Sequence, residues 1–260
     1  MNKQPPDKLP VATDLIQAIN AGSNEQKALF FQSFFRTGPG EYAEGDQFLG
    51  LTVPNQRIIA KQFHELPLKE LSEPIKSPFH ELRLTSLLIL VNQYNKAIQE
   101  NNLQHAQAII EFYLTHTAYI NNWDLVDSSA DKILGHYIYA HPEDQKILKQ
   151  FSKSKSIWEK RIAMISCFYY IRQESFQLPL QIAETLLSDK HDLIHKAVGW
   201  MLREIGKRNR SILDQFLHKH YPQIPRTTLR YAIEKHPEAI RKKYLLGEIE
   251  SHAILAPSNQ

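Results

Sequence analysis

Basic residues followed closely by a small residue recur along this chain at the spacing of one helical pair. Arg161-Ile-Ala163, Lys196-Ala197 and Arg230-Tyr-Ala232 each lead into an apolar stretch, at intervals of 35 and 34 residues. Arg83, in HELRLTSLLILV, begins a similar stretch upstream. Asp127, in LVDSSADKIL, falls in the same frame 34 residues before Arg161, with an acid where the others have a base. A period of this length accommodates two helices and two turns. The expected fold class is therefore all-α, an α-solenoid of helical pairs with a concave basic face.

Local signals agree. Ser23-Asn-Glu-Gln26 and Ser156-Ile-Trp-Glu159 fit the capping-box pattern that satisfies orphan amides at a helix start. Pro54, Pro142, Pro225 and Pro237 open periodic stretches, where a missing N–H and a fixed φ cost nothing. Gly206 and Asn209 mark a place where one helix can stop and the next begin. The stretch from Arg36 to Gly50 holds four of the nine glycines and reads as a real loop. Residues 1–247 are expected to form a single domain, with 248–260 a frayed tail that has lost periodicity.

Composition excludes several classes. With 42% hydrophobic and 23% charged residues the chain is globular, not disordered. The start, MNKQPPDKLP, has no apolar run and does not read as a signal peptide. No stretch approaches the ~18 consecutive apolar residues of a membrane span. The single cysteine, Cys167 in ISCFYYI, reads as a small core residue and not as a nucleophile. A cytoplasmic protein, nucleoid-associated when bound to DNA, is the expectation. There is no Gly-rich phosphate loop, no HExxH and no cysteine cluster, and His191 and His195 stand four apart with nothing to complete a metal site. No metal or cofactor is expected. The net charge of +3 is mild, so its placement matters more than its size.

Three constellations can carry chemistry. On DLIHKAVGWMLREIGKR, Ile194, Ala197, Val198, Met201, Leu202 and Ile205 form an apolar stripe. Lys196, Trp200, Arg203 and Lys207 fall on the opposite side. An indole among cations is either cation–π packing against a neighbouring helix or an aromatic platform in a phosphate-binding stripe. Gly199 beside it implies close helix packing or a close-lying ligand. In Asn121-Asn-Trp-Asp-Leu-Val-Asp127, Trp123 and Asp127 are four apart and share a face. Val126, Ala130, Ile133, Leu134 and Tyr137 define the apolar side, Asp127 lies at its edge, and Asp124 and Asp131 point further toward solvent. Asp127 suits either an electrostatic catalyst or a capping or salt-bridging role. Arg161 starts from an apolar surface among Trp158, Ile162, Ile165 and Phe168, so it needs an anionic partner, a phosphate or a carboxylate such as Asp127.

Four fragments in order, FLGLTVPNQR, NNWDLVDSSA, SIWEKRIAMISCFYYIRQ and IHKAVGWMLREIGKR, resemble the DNA alkylation repair family of AlkD type, glycosylases built from HEAT-like repeats. The resemblance runs from Phe48 to Arg230. It implies that Trp123 and Trp200 wall the lesion and that Asp127 is the catalytic carboxylate. It also implies that Arg161 and Arg57 contact the DNA backbone and that Tyr42 lies near the active cleft. Lys196 and Arg203 complete the expected DNA-binding set, and Trp123, Asp127, Arg161 and Trp200 are expected to converge on one cleft. At Asp192-Leu193 some relatives carry bulky aromatics that this chain lacks. The implied partner is double-stranded DNA containing alkylated bases, bound by a monomer without a membrane.

The implied reaction is hydrolysis of the N-glycosidic bond of cationic purines such as 3-methyladenine and 7-methylguanine, with the lesion near the stack. Alkylation at N3 or N7 already weakens that bond, so no general acid is required. Departure leaves positive charge on the sugar, which one carboxylate can stabilise. A non-catalytic helical-repeat module that binds DNA or protein is the alternative.

Overall fold

The computed structural model describes residues 9–248. Among them the secondary structure is helical, and the one β feature is an isolated bridge between Gln47 and Phe79. Among the described residues, none of the helices is long and apolar enough to cross a membrane. Of the stretch read as a tail, all but Glu248 lies outside the described residues. By internal packing the chain divides into two compact units, Met1–Ala140 and His141–Gln260.

The first unit contains α1 (Ala12–Ala21), α2 (Glu25–Phe34), α3 (Val53–Gln62), α4 (Leu68–Leu71), α5 (His80–Gln99), α6 (Leu103–Thr115), α7 (Trp123–Ser129) and α8 (His136–Ala140). Its core is α5, whose run LRLTSLLILV is buried around most of its circumference while α3, α6 and α7 pack on it. The cap of α2 is Asn24, whose side chain accepts the Lys27 amide, and not Ser23 as the capping-box pattern predicts. A shift of one residue is what two adjacent polar side chains permit.

Between α2 and α3 the chain runs as the predicted loop, and its exit is fixed by one buried acid. The Glu81 carboxylate accepts the amides of Leu49 (3.0 Å), Gly50 (2.8 Å) and Leu51 (3.3 Å). Gly50 has φ +83°, and a Cβ there would lie 2.0 Å from the Asn24 carbonyl oxygen, so FLG is a backbone requirement.

Beyond α7 the ladder slips. Residues Asp131–Gly135 form a π turn, with the Gly135 amide donating to the Ala130 carbonyl at 2.8 Å. The extra residue breaks the 100° wheel assumed from sequence. Ile138, not Tyr137, takes the buried position, and Asp131 turns inward to 2% exposure instead of toward solvent.

The second unit contains α9 (Gln145–Phe151), α10 (Ile157–Arg172), α11 (Gln177–Leu186), α12 (Asp192–Arg208), α13 (Arg210–His220), α14 (Arg226–Ala232) and α15 (Glu238–Leu246). Here the sequence period has a direct physical meaning. The helices carrying Arg161, Lys196 and Arg230 are α10, α12 and α14, and each packs on the next. The stripe predicted on α12 is buried in full. Ser156 caps α10 and Asn209 caps α13 as read. Gly206 does not end a helix; it lies inside α12, where a Cβ would stand 2.3 Å from Leu213 Cδ2. Cys167 is buried, donates its thiol to the Ala163 carbonyl, and has its pKa pushed up by burial, as befits a core residue.

Candidate functional site

The indole–carboxylate pair lies on α7, with Trp123 at its first residue and Asp127 in its second turn. Trp123 is half-buried, and its ring is held from several directions. It stacks on Phe35 (centroids 5.4 Å apart, planes at 23°) and meets Phe34 edge-on at 6.2 Å. Its Nε1–H donates to the Tyr42 hydroxyl at 3.3 Å. Tyr42 packs against the same cluster of Phe35, Ala43 and Phe48, and burial raises its phenol pKa. Tyr42 thus braces Trp123 from the Arg36–Gly50 loop. Asp127, one turn further along α7, is half-buried.

Under this turn lies a charge network with no counterpart in the sequence reading. The Asp46 carboxylate accepts from Arg83 Nη2 at 2.7 Å and from Asn122 Nδ2 at 3.1 Å, and it faces His80 Nδ1 at 3.4 Å. The other ring nitrogen of His80, Nε2, lies 2.8 Å from Asp124 Oδ2. Asp124 therefore does not point toward solvent. A helix wheel could not reveal this, because its partner comes from α5, 44 residues earlier. Burial alone would lower the pKa of His80. The Asp124 charge and the hydrogen bonds from Asp124 and Asp46 outweigh it and raise the pKa to about 9. Burial would raise the Asp46 pKa, but the His80 bond and the Arg83 charge hold it below the usual carboxylate range. One sequence signal for this network existed: His80, Glu81 and Arg83 open an otherwise apolar helix, and buried charges must be paired.

In the same unit, Arg57 is exposed on α3. Its guanidinium is available to a polyanion.

In the second unit, Trp200 is half-buried on α12, and its ring lies 5.9 Å from that of Phe168 on α10, tilted by 49°. Gly199 beside it answers the question left open by sequence. A Cβ there would lie 2.5 Å from Tyr231 Cβ and 2.7 Å from the Thr228 carbonyl oxygen, so close packing of α12 on α14 requires the glycine. The cations around Trp200 are internally compensated. Lys196 pairs with Asp192 at 2.8 Å, Arg203 pairs with Glu234, and Lys207 pairs with Glu204 at 2.6 Å. The Lys196–Asp192 pair is exposed, and pairs of this kind contribute little stability, on the order of 0–1 kcal/mol, so a phosphate can compete for Lys196.

Arg161 is buried at 5% exposure, and one of its partners is neutral: Nη1 donates to the Leu193 carbonyl at 2.6 Å. That bond ties α10 to the first turn of α12. His191 caps α12 by accepting the Leu193 amide at Nδ1, and burial lowers its pKa, which fits a neutral ring. His195 bonds the Asp189 carbonyl. Among the described residues no cluster of His, Cys, Asp or Glu is arranged to hold a metal ion.

A family model described as DNA alkylation repair enzyme matches residues 15–236. Among solved structures, a predicted DNA alkylation repair enzyme from Enterococcus faecalis is similar with a TM-score of 0.64 at 16% identity; the match covers 89% of this chain and all of that one. No curated protein matches. Trp123, Asp127, Arg161 and Trp200 all lie inside the matched span, which takes in both compact units and every helix from α2 to α14. The chain belongs to the DNA alkylation repair enzyme family.

Proposed function

We propose that this protein is a monofunctional DNA glycosylase that releases cationic alkylated purines from duplex DNA, acting as a cytoplasmic monomer. The reading is carried by one arrangement on α7: a half-buried carboxylate, Asp127, one helical turn beyond an indole fixed by Tyr42 and Phe35. An indole face attracts a cationic base. A carboxylate in a partly desolvated place stabilises the positive charge that builds on the deoxyribose as the base departs. The base is already a good leaving group, so no acid has to protonate it. Trp200 supplies a second aromatic face, and Arg161, Arg57, Lys196 and Arg203 engage the DNA backbone.

The test is incubation with methylated duplex DNA, with the released bases identified. 3-Methyladenine and 7-methylguanine should appear, uracil and hypoxanthine should stay attached, and the strand should be left abasic but unbroken. Asp127→Asn should slow release at least ~10-fold, about 1.4 kcal/mol of transition-state stabilisation. Normal release by that variant would remove Asp127 from the mechanism.

One observation favours a second reading, a non-catalytic binding module. The cations of the α12 stripe are each paired with a carboxylate, so the surface has mixed charge and also suits a protein partner. Absence of base release from every methylated substrate, with a protein ligand bound at α12, would establish it.

A further inference from the structure

Asn122, Trp123 and Asp124 are consecutive, and each is anchored to a different distant residue: Asp46 and Tyr42 in the loop, and His80 on α5. Asn122 reaches Asp46 through Nδ2 while its Oδ1 accepts the Trp123 amide at 2.8 Å. Asp124 reaches His80 through Oδ2 while its Oδ1 accepts the Leu125 amide at 2.9 Å. His80 is the junction. Its side chain is 3% exposed, and its two ring nitrogens face two different carboxylates. Only a ring protonated at both nitrogens can donate to both. Within this hydrogen-bonded set the charges agree: Asp46 and Asp124 balance His80 and Arg83, whereas a neutral ring would leave one buried negative charge uncompensated; the neighbouring Glu81 is held separately by the loop amides. The same ring lies 4.9 Å from Phe35 and 4.9 Å from Phe48, and Phe35 is the ring on which Trp123 stacks.

We propose that His80, as a buried imidazolium clamped between Asp46 and Asp124, is a positioning residue for the reaction. It fixes the first turn of α7 through Asp124 and the plane of Trp123 through Phe35, and so sets the indole and Asp127 relative to a bound base. This rests on the glycosylase reading for its consequence, though not for its geometry. The charged and titratable groups around the ring are Asp46 from the loop, Asp124 from α7 and Arg83 from α5 itself, with Tyr42 one bond further out on Trp123.

A double-mutant cycle on base release separates positioning from general destabilisation. Single-turnover release at saturating protein should fall at least ~10-fold in His80→Gln, with affinity for undamaged duplex DNA changed less than about 3-fold. In an Asp127→Asn background the same substitution should cost less than about 5-fold, because of the two groups it positions only the Trp123 indole remains. An equal loss in both backgrounds, or no loss, overturns the proposal. Nitrogen NMR on the unaltered protein gives a readout free of both activity and folding defects in variants. Both His80 ring nitrogens should carry protons at pH 7.5, and the Trp123 indole N–H signal should shift as His80 titrates. A singly protonated ring at that pH, or an indole signal indifferent to its titration, also overturns it. Failure of the unaltered protein to release any base would instead defeat the glycosylase reading, with the NMR result still deciding the clamp.

Discussion

Two of the half-buried tryptophans, Trp123 and Trp200, are held in place by opposite means. Trp200 is set by backbone packing: its helix is brought against α14 by the missing Cβ of Gly199, and its ring has Phe168 beside it. Trp123 is set by side chains drawn from α2 and the loop after it, with a buried charge network reaching α5 behind them. The first arrangement is local and periodic. The second depends on partners as far as 81 residues apart, Tyr42 and Trp123, which have to find one another on folding. The contrast predicts that the first unit is sensitive to polar substitutions and to pH, and the second to steric ones.

The largest effect should come from Glu81→Ala. It strands the three amides that its carboxylate now satisfies, and each unsatisfied group costs about 1–3 kcal/mol, so a loss of at least about 3 kcal/mol is expected. Hydrogen exchange should show the loss at Leu49 to Leu51 and along α5. Loss of protection concentrated in the second unit would break the contrast. Next is Gly199→Ala, where a methyl group must displace Tyr231 or the Thr228 backbone, at a cost of about 1–3 kcal/mol by urea denaturation. Emission from Trp200, read in a Trp123→Phe, Trp158→Phe background, should move with it.

A pH scan sharpens the comparison further. The folded pKa of His80, about 9, lies above its ordinary value of 6.5. Its stabilising contribution is therefore complete below about pH 6.5 and is lost as pH rises through about 9. Thermal unfolding should fall across that window, and His80→Gln should flatten the fall. A slope unchanged by the substitution would assign the loss to other groups. The smallest effect is expected at Lys196 and Asp192 in the second unit. Replacing both with alanine should change stability by less than about 1 kcal/mol. The variant should still bind duplex DNA with a salt dependence reduced by roughly one phosphate contact.

The same contrast explains what could be read in advance. The α12 stripe, the 34-residue frame and the caps at Ser156 and Asn209 follow from near neighbours and helical spacing, so they were legible. So was the Trp123–Asp127 pair, which needs only one turn of helix. Asp46 was not, because nothing local distinguishes a buried carboxylate in a Gly-rich loop from a solvated one; the charged start of α5 at His80 signalled a buried network but not its partners Asp46 and Asn122. Asp131 and Tyr137 were misplaced for a different reason: the wheel was continued at 100° through residues that adopt a π turn. Ser23 and Gly206 show the limits of residue type alone, since a cap and a close approach look alike until the neighbouring backbone is known.

The π turn also bears on how this segment tolerates insertion and deletion. A helix with one more residue than its hydrogen-bond ladder needs can lose that residue without being cut. Removing Lys132 would let the following amides return to their i−4 carbonyls. A π turn spends one residue more than an α turn on about the same arc, so the two sides of the junction would keep their relative orientation. A change of length here is thus absorbed by the bulge and is not passed on as a rotation. Chains of unequal length can keep the tryptophan and the aspartate of α7 in place while burying the same side of α8, so a one-residue gap in an alignment at this point marks a lost bulge and not a lost helix.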